Sequence, residues 1–210
     1  MYTPGHFRSD DRARISAIIR ANAFAILTTQ GAQGLIATHL PFLYEASEGP
    51  HGRLFAHMAR ANPQWREFAS GAEALVIFQG EHGYISPTWY ASYPETAHVP
   101  TWNYEAVHAY GVPRLTDDKL RTVKLLEATI RTFEEPGSEY SALKQPDEYI
   151  DRMVKAIVAF EIPVSRLEGK IKLSQNRTME DAESAAAALE KLGDPASKRL
   201  AVAMRSAIPG

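Results

Sequence analysis

Residues 169–177, GKIKLSQNR, gather two lysines, a serine, a glutamine, an asparagine and an arginine. Ammonium and guanidinium groups only donate hydrogen bonds, and amides and hydroxyls add to them, so this set suits an anion. Read as a strand, the segment alternates: Lys170, Lys172 and Ser174 share one face, Ile171 and Leu173 the other. The apolar pair then enters the core and the polar row lines a sheet face. Gln175, Asn176 and Arg177 fall between this strand and a following helix, where they tie backbone groups or grip the anion. The plainer alternative, favoured on this stretch alone, is a solvated edge whose lysines discourage strand pairing.

A second anion-type pattern is FAHMARANPQWREF (55–68). A strand ends here and a helix opens, with Asn62 as a natural N-cap and Pro63 as a first helical residue. Free N–H groups and the helix dipole suit phosphate at such a terminus. Arg60 stands two residues before the cap, and His57 flanks the same pocket. An ordinary capped helix with a nearby arginine reads the same pattern equally well.

Residues 82–111 hold two tryptophans, five tyrosines and three histidines, stiffened by Pro87, Pro94 and Pro100. Flat rings suit a planar ligand or a subunit contact. Packing of a long loop or a dimer contact ranks ahead of direct ligand stacking.

Other chemistries find little support. With no cysteine, the chain lacks disulfides, thiolate metal sites and a cysteine nucleophile. His39, His57, His82, His98 and His108 show no metal-ligand spacing, and neither a phosphate-binding loop, a dinucleotide fingerprint nor a nucleophile elbow is present. The formal net charge of -2 gives no basic excess for nucleic acid. The start lacks the apolar core of a secretory signal, and no apolar run approaches the ~18 residues of a membrane span. The expected setting is cytoplasmic.

The elements that must position these groups are mostly strands. β-like runs fall at 24–29, 34–45, 52–59, 73–80, 83–86, 103–112, 156–168 and 170–174, with turn formers such as QGAQG (30–34) between the early ones. Pro163 marks an edge or a bulge. Helices are expected after Ser9 or Asp10, from Thr116 as N-cap to Pro136, from Pro146, from Thr178 to Gly193, and at the C-terminal end. Thr178 and Asp181 are spaced like a capping box. The early turns are too short for crossover helices, so the pattern predicts a closed or nearly closed antiparallel barrel, mainly β with flanking helices.

Six motifs in order, MYTPGHF, ATHLPF, HMARANPQW, VIFQGEHGYISPTWY, VPTWNYEAVHAYG and EGKIKLSQNR, resemble the PaiB-type family of FMN-binding negative transcriptional regulators. The resemblance spans residues 1–180 and leaves 181–210 as a helical tail. It implies a split β-barrel of the Greek-key kind, related to pyridoxamine-phosphate oxidases, forming a bacterial homodimer with FMN at the subunit interface. It places the phosphate near His57, Arg60 and Asn62, with Lys170, Lys172, Ser174, Gln175 and Arg177 lining the cofactor or dimer pocket. Thr101, Trp102 and Asn103 then contact the ring system. The regulator function concerns degradative enzymes and sporulation. A flavin-dependent oxidoreductase using NAD(P)H is the alternative, with Tyr104 and His108 as polar candidates only, and direct DNA binding lacks a visible reading element.

Overall fold

In a computed structural model, residues 1–32 and 34–208 are described, so Gln33 of the QGAQG turn lies outside the described residues. Among these are nine strands: β1 (Arg8–Ser9), β2 (Phe24–Gly31), β3 (Gly34–Pro41), β4 (Leu43–Glu45), β5 (Arg53–Ala59), β6 (Ala74–Ile85), β7 (Thr101–Gly111), β8 (Arg114–Leu115) and β9 (Ile157–Lys172). The helices are α1 (Arg12–Ala21), α2 (Lys119–Phe133), α3 (Asp147–Ala156), α4 (Met179–Leu192) and α5 (Pro195–Ser206). The sheet runs in the order β3-β2-β6-β7-β9-β5-β4, with β1 and β8 also pairing to β9. The β2–β3 hairpin is in register from Phe24↔Pro41 to Gly31↔Gly34, and β5 pairs antiparallel with β9.

The strands follow from alternation. Leu54, Ala56 and Met58 of β5 are buried, while His57 between them is half-buried on the other face. β7 alternates the same way and sends Asn103, Glu105, Val107 and Ala109 inward.

The chain forms two compact units. One comprises Met1–Asn22, Phe78–His108 and Glu168–Gly210, the other Ala23–Ile77 and Ala109–Leu167. In the second unit, Phe160 packs against Phe42 and Phe68 at ring separations of 6.3 and 5.0 Å. Val123 of α2 and Ile150 of α3 form a smaller apolar cluster there with Ala142. In the first unit, α4 and α5 pack on each other and bury Ala185, Ala186, Leu189, Leu200 and Met204. Each large apolar side chain so buried contributes about 1.5–3 kcal/mol.

Several sequence expectations need correction. Asp11, not Ser9 or Asp10, caps α1, accepting from the N–H groups of Ala13 and Arg14. Asp118, not Thr116, caps α2 and accepts from Arg121 N at 2.7 Å. Thr116 is unsuited because its own N–H donates to Ala159 O at 2.9 Å, which keeps it beside β9. The runs at 73–80 and 83–86 fuse into β6, and those at 156–168 and 170–174 largely fuse into β9, because Gly83 and Gly169 remain extended. Pro163 therefore lies inside a strand that has neighbours on both sides. The β5 side does not need its missing N–H: Val164 N donates to Gly52 O at 3.0 Å, and because hydrogen-bonded pairs alternate along an antiparallel ladder, the adjacent Arg53↔Pro163 pair exchanges no bond. Residues 63–70 form a 3-10 helix whose N-cap is Asn62, as the sequence indicates.

Candidate functional site

In the first unit, the end of β9 brings three cations together. Lys170 is 8% exposed and Ser174 is 3% exposed, so these two are covered, while Lys172 between them is half-buried. The partner face behaves as alternation requires, with Ile171 and Leu173 buried. Lys170 donates to Tyr2 O at 3.0 Å and lies 5.1 Å from the Tyr104 ring centroid. Lys172 donates to Trp102 O at 2.6 Å and to the Thr101 hydroxyl. Burial, then the nearby charges of Lys170 and Arg177, push the Lys172 ammonium below the usual lysine range. Among the described residues, no carboxylate pairs with any of these three cations.

β7 supplies the opposing wall. Asn103, 1% exposed, donates through Nδ2 to Ser174 Oγ at 2.9 Å, and its Oδ1 has no partner among the described residues. Ser174 holds a left-handed φ of 71°, rare for a residue with a Cβ. Gln175 accepts from Leu173 N at 2.7 Å and donates to Ile171 O at 2.6 Å. Its amide thus fastens this turn and has no free end. Trp102 points outward, 53% exposed, with the His82 ring 5.9 Å away.

The predicted residues of the second unit have a different arrangement. Asn62 Oδ1 caps the 3-10 helix at Gln64 N over 3.0 Å, and its Nδ2 donates to Thr38 Oγ1, also over 3.0 Å. Arg60 turns back to α3: Nε donates to Lys155 O at 2.8 Å and Nη2 to Ile157 O at 2.7 Å. These carbonyls lie at the end of α3, where a cation is favourable. Both N–H groups of Nη1 and the second of Nη2 have no partner among the described residues. Arg60 lines a cleft of about 220 Å³ with Trp65, Asp117 and Lys119, which neither His57 nor Asn62 lines. Burial lowers the His57 pKa and so favours its neutral form.

The sequence reading missed four polar participants in the first unit. Ser92, His98, Asp181 and Tyr90 surround Arg177 and its partners. One signal was available. Asp181 occupies the third helical position, where a capping box prefers the longer Glu. Thr178 Oγ1 does accept from Asp181 N at 3.1 Å, but the Asp181 carboxylate serves Ser92 instead. Gln64 was missed as well. It is fully buried, and its Nε2 lies 3.1–3.2 Å from Leu27 O, Thr29 Oγ1 and Ile36 O, clasping β2 and β3.

Among the described residues, no cluster of metal-ligating side chains is present, and no helix is long and apolar enough to cross a membrane.

Comparison with known proteins identifies the family. The family described as "Putative FMN-binding domain" matches residues 1–166. The chain is 33% identical to the Bacillus subtilis protein named "Protease synthase and sporulation protein PAI 2" over 205 residues, 97% of this chain and 96% of that protein. The 169–177 segment lies beyond the family match. Two solved structures share the fold at 17% identity. The flavocytochrome Anf3 of Azotobacter vinelandii aligns with a TM-score of 0.60, covering 79% of this chain and 69% of that one. The FAD- and heme-binding protein of Mycobacterium smegmatis aligns with a TM-score of 0.58, covering 79% and 73%. The antiparallel sheet is thus of the flavin-binding split-barrel type, and the family's cofactor is FMN. The chain belongs to the PaiB-type FMN-binding family.

Proposed function

We propose that this chain is a cytoplasmic FMN-binding homodimer that acts as a negative regulator of gene expression. The observation that carries the cofactor assignment is the group of Lys170, Lys172 and Arg177. Three cations gathered without a carboxylate, one with a depressed pKa, are short of an anion. The FMN phosphate supplies that charge. The unpartnered Asn103 Oδ1 fits as well, since the ribityl hydroxyls and the ring N–H of FMN can donate to it. Bound FMN would supply hydride and single-electron chemistry.

On this reading Lys170, Lys172 and Arg177 hold the phosphate, and Ser174 and Gln175 fix the turn that presents them. Thr101 and Trp102 hold Lys172 in place, and Asn103 accepts from the cofactor. Two of Arg60's nitrogens are committed to carbonyls, so His57, Arg60 and Asn62, in the other unit, are kept as a second candidate group, less available to an anion than the first. The regulatory role rests on likeness to the Bacillus subtilis protein, whose name joins protease synthesis and sporulation. Because the net charge is -2, we place that effect downstream of the flavin rather than in direct reading of DNA. FMN titration with sedimentation analysis tests the molecular part: saturable binding by a dimer is expected, and a monomer without flavin affinity would refute it.

A flavin-dependent oxidoreductase is the second reading. The outward Trp102 ring, with His82 beside it, offers a flat wall for a planar substrate. Anaerobic bleaching of bound flavin by NADH or NADPH is its expected sign.

A further inference from the structure

Arg177 lies at one end of a polarised chain of hydrogen bonds. Its Nη1 lies 3.1 Å from His98 Nδ1. The opposite ring nitrogen, Nε2, lies 2.7 Å from Ser92 Oγ. Ser92 Oγ lies 2.9 and 3.0 Å from the two Asp181 oxygens, and Ser92 N donates to Oδ1 at 2.9 Å. A guanidinium can only donate, so Nδ1 accepts and the ring proton sits on Nε2. Nε2–H then donates to Ser92 Oγ, and the Ser92 hydroxyl donates to Asp181. Burial raises the Asp181 pKa, but the bonds from the Ser92 N–H and hydroxyl lead the effects that outweigh it and keep the carboxylate ionised.

The Tyr90 ring closes one side, 4.7 Å from the His98 ring and 4.9 Å from Arg177 Cζ. Among the described residues, the charged and titratable groups whose contacts reach His98 are Arg177, Tyr90 and, through Ser92, Asp181. A cation at one end and a carboxylate at the other fix every donor direction between them. Ser92 thereby ties the aromatic loop to the first turn of α4, and the His98 imidazole ties the same loop to the turn after β9.

We propose that His98, Ser92 and Asp181 are positioning residues that hold Arg177 for a phosphate, and so make the site select FMN over riboflavin. The inference rests on the phosphate assignment above. His98 acts as a neutral acceptor for Arg177 and as a donor to Ser92. Gln can reproduce both roles, whereas Leu can reproduce neither.

The test compares FMN and riboflavin titrations of the wild type, His98→Leu and His98→Gln. The wild type is expected to prefer FMN. His98→Leu should weaken FMN about tenfold, as for loss of one hydrogen bond to a charged group, and leave riboflavin unchanged. His98→Gln should recover most of that loss. If the wild type prefers FMN but His98→Leu keeps full FMN affinity, or loses both ligands equally, the positioning role is overturned while the phosphate assignment stands. If the wild type binds the two flavins alike, the phosphate assignment fails and takes this role with it. A second readout needs no variant or flavin: nitrogen-15 NMR of histidine-labelled protein should show His98 as the neutral Nε2–H tautomer. The Nδ1–H tautomer would overturn the proposal.

Discussion

Asn103 Nδ2 donates to Ser174 Oγ over 2.9 Å, so an inward residue of β7 fastens the left-handed residue that follows β9. The bond fixes where the chain turns away after Lys172. It also leaves Asn103 Oδ1 buried without a partner. A polar atom left so in an interior costs about 1–3 kcal/mol, which a ligand donor would recover.

Removing single cations should rank the two candidate groups. Lys172→Ala is expected to weaken FMN by about 10- to 100-fold, as for loss of a hydrogen bond to a charged group. Arg60→Ala should weaken it less, and Arg131→Ala, whose side chain is 72% exposed on α2, not at all. Fluorescence titration of the three variants checks the order. Arg60→Ala with the largest loss would move the phosphate to the 57–62 junction.

The depressed pKa of Lys172 gives flavin binding an alkaline limit. Lys172 attracts phosphate only while protonated, so affinity should fall as pH rises through its pKa. That fall should begin below the ordinary lysine value of ~10.4, because burial and the neighbouring cations favour the neutral amine. In Lys172→Met this fall should vanish. An identical profile in that variant would remove Lys172 from the site.

The strand pattern was readable because alternation is local. So was the split of residues 169–173 into a polar row and an apolar pair. Two features were not readable. One is the use of Arg60, whose carbonyl partners at Lys155 and Ile157 lie 95 and 97 positions away. The other is the group around His98, which joins Ser92 to Asp181 across 89 positions. Sequence spacing carries no trace of such long-range pairs. Composition misled in one respect: lysines suggest a wet edge, yet Lys170 is covered by Tyr2 and Tyr104.

The corrected cap of α2 can be tested directly. Asp118→Ala should cost about 1 kcal/mol, and Thr116→Ala should cost less, read from urea midpoints. Equal losses would restore Thr116 as a capping residue.

Gly111 is a steric requirement. A Cβ there would lie 2.3 Å from Pro163 O, which is backbone and cannot swing aside. Gly111→Ala should lower stability by about 1–3 kcal/mol or more, measured by thermal or urea unfolding. An unchanged midpoint would mean that β7 and β9 shift apart freely at this point.

Glu127 should contribute to acid sensitivity. The Ser141 hydroxyl above all, then Ala142 N and Arg131, hold its carboxyl below the usual range despite an opposing effect of burial. A depressed folded pKa gives stability that is complete above the unfolded value of ~4.3 and is lost as pH falls through the folded pKa. Glu127→Gln should therefore be less stable than wild type at neutral pH, with the gap narrowing in acid. A gap that stays constant from neutral to strongly acid pH would contradict this.

The most direct test of the central claim is an absorbance spectrum of the purified protein, saturated with FMN and then desalted. Retained flavin bands are expected, close to one flavin per subunit, and they should diminish in Lys172→Ala. A wild-type protein that emerges colourless and shows no saturable FMN binding on titration would contradict it.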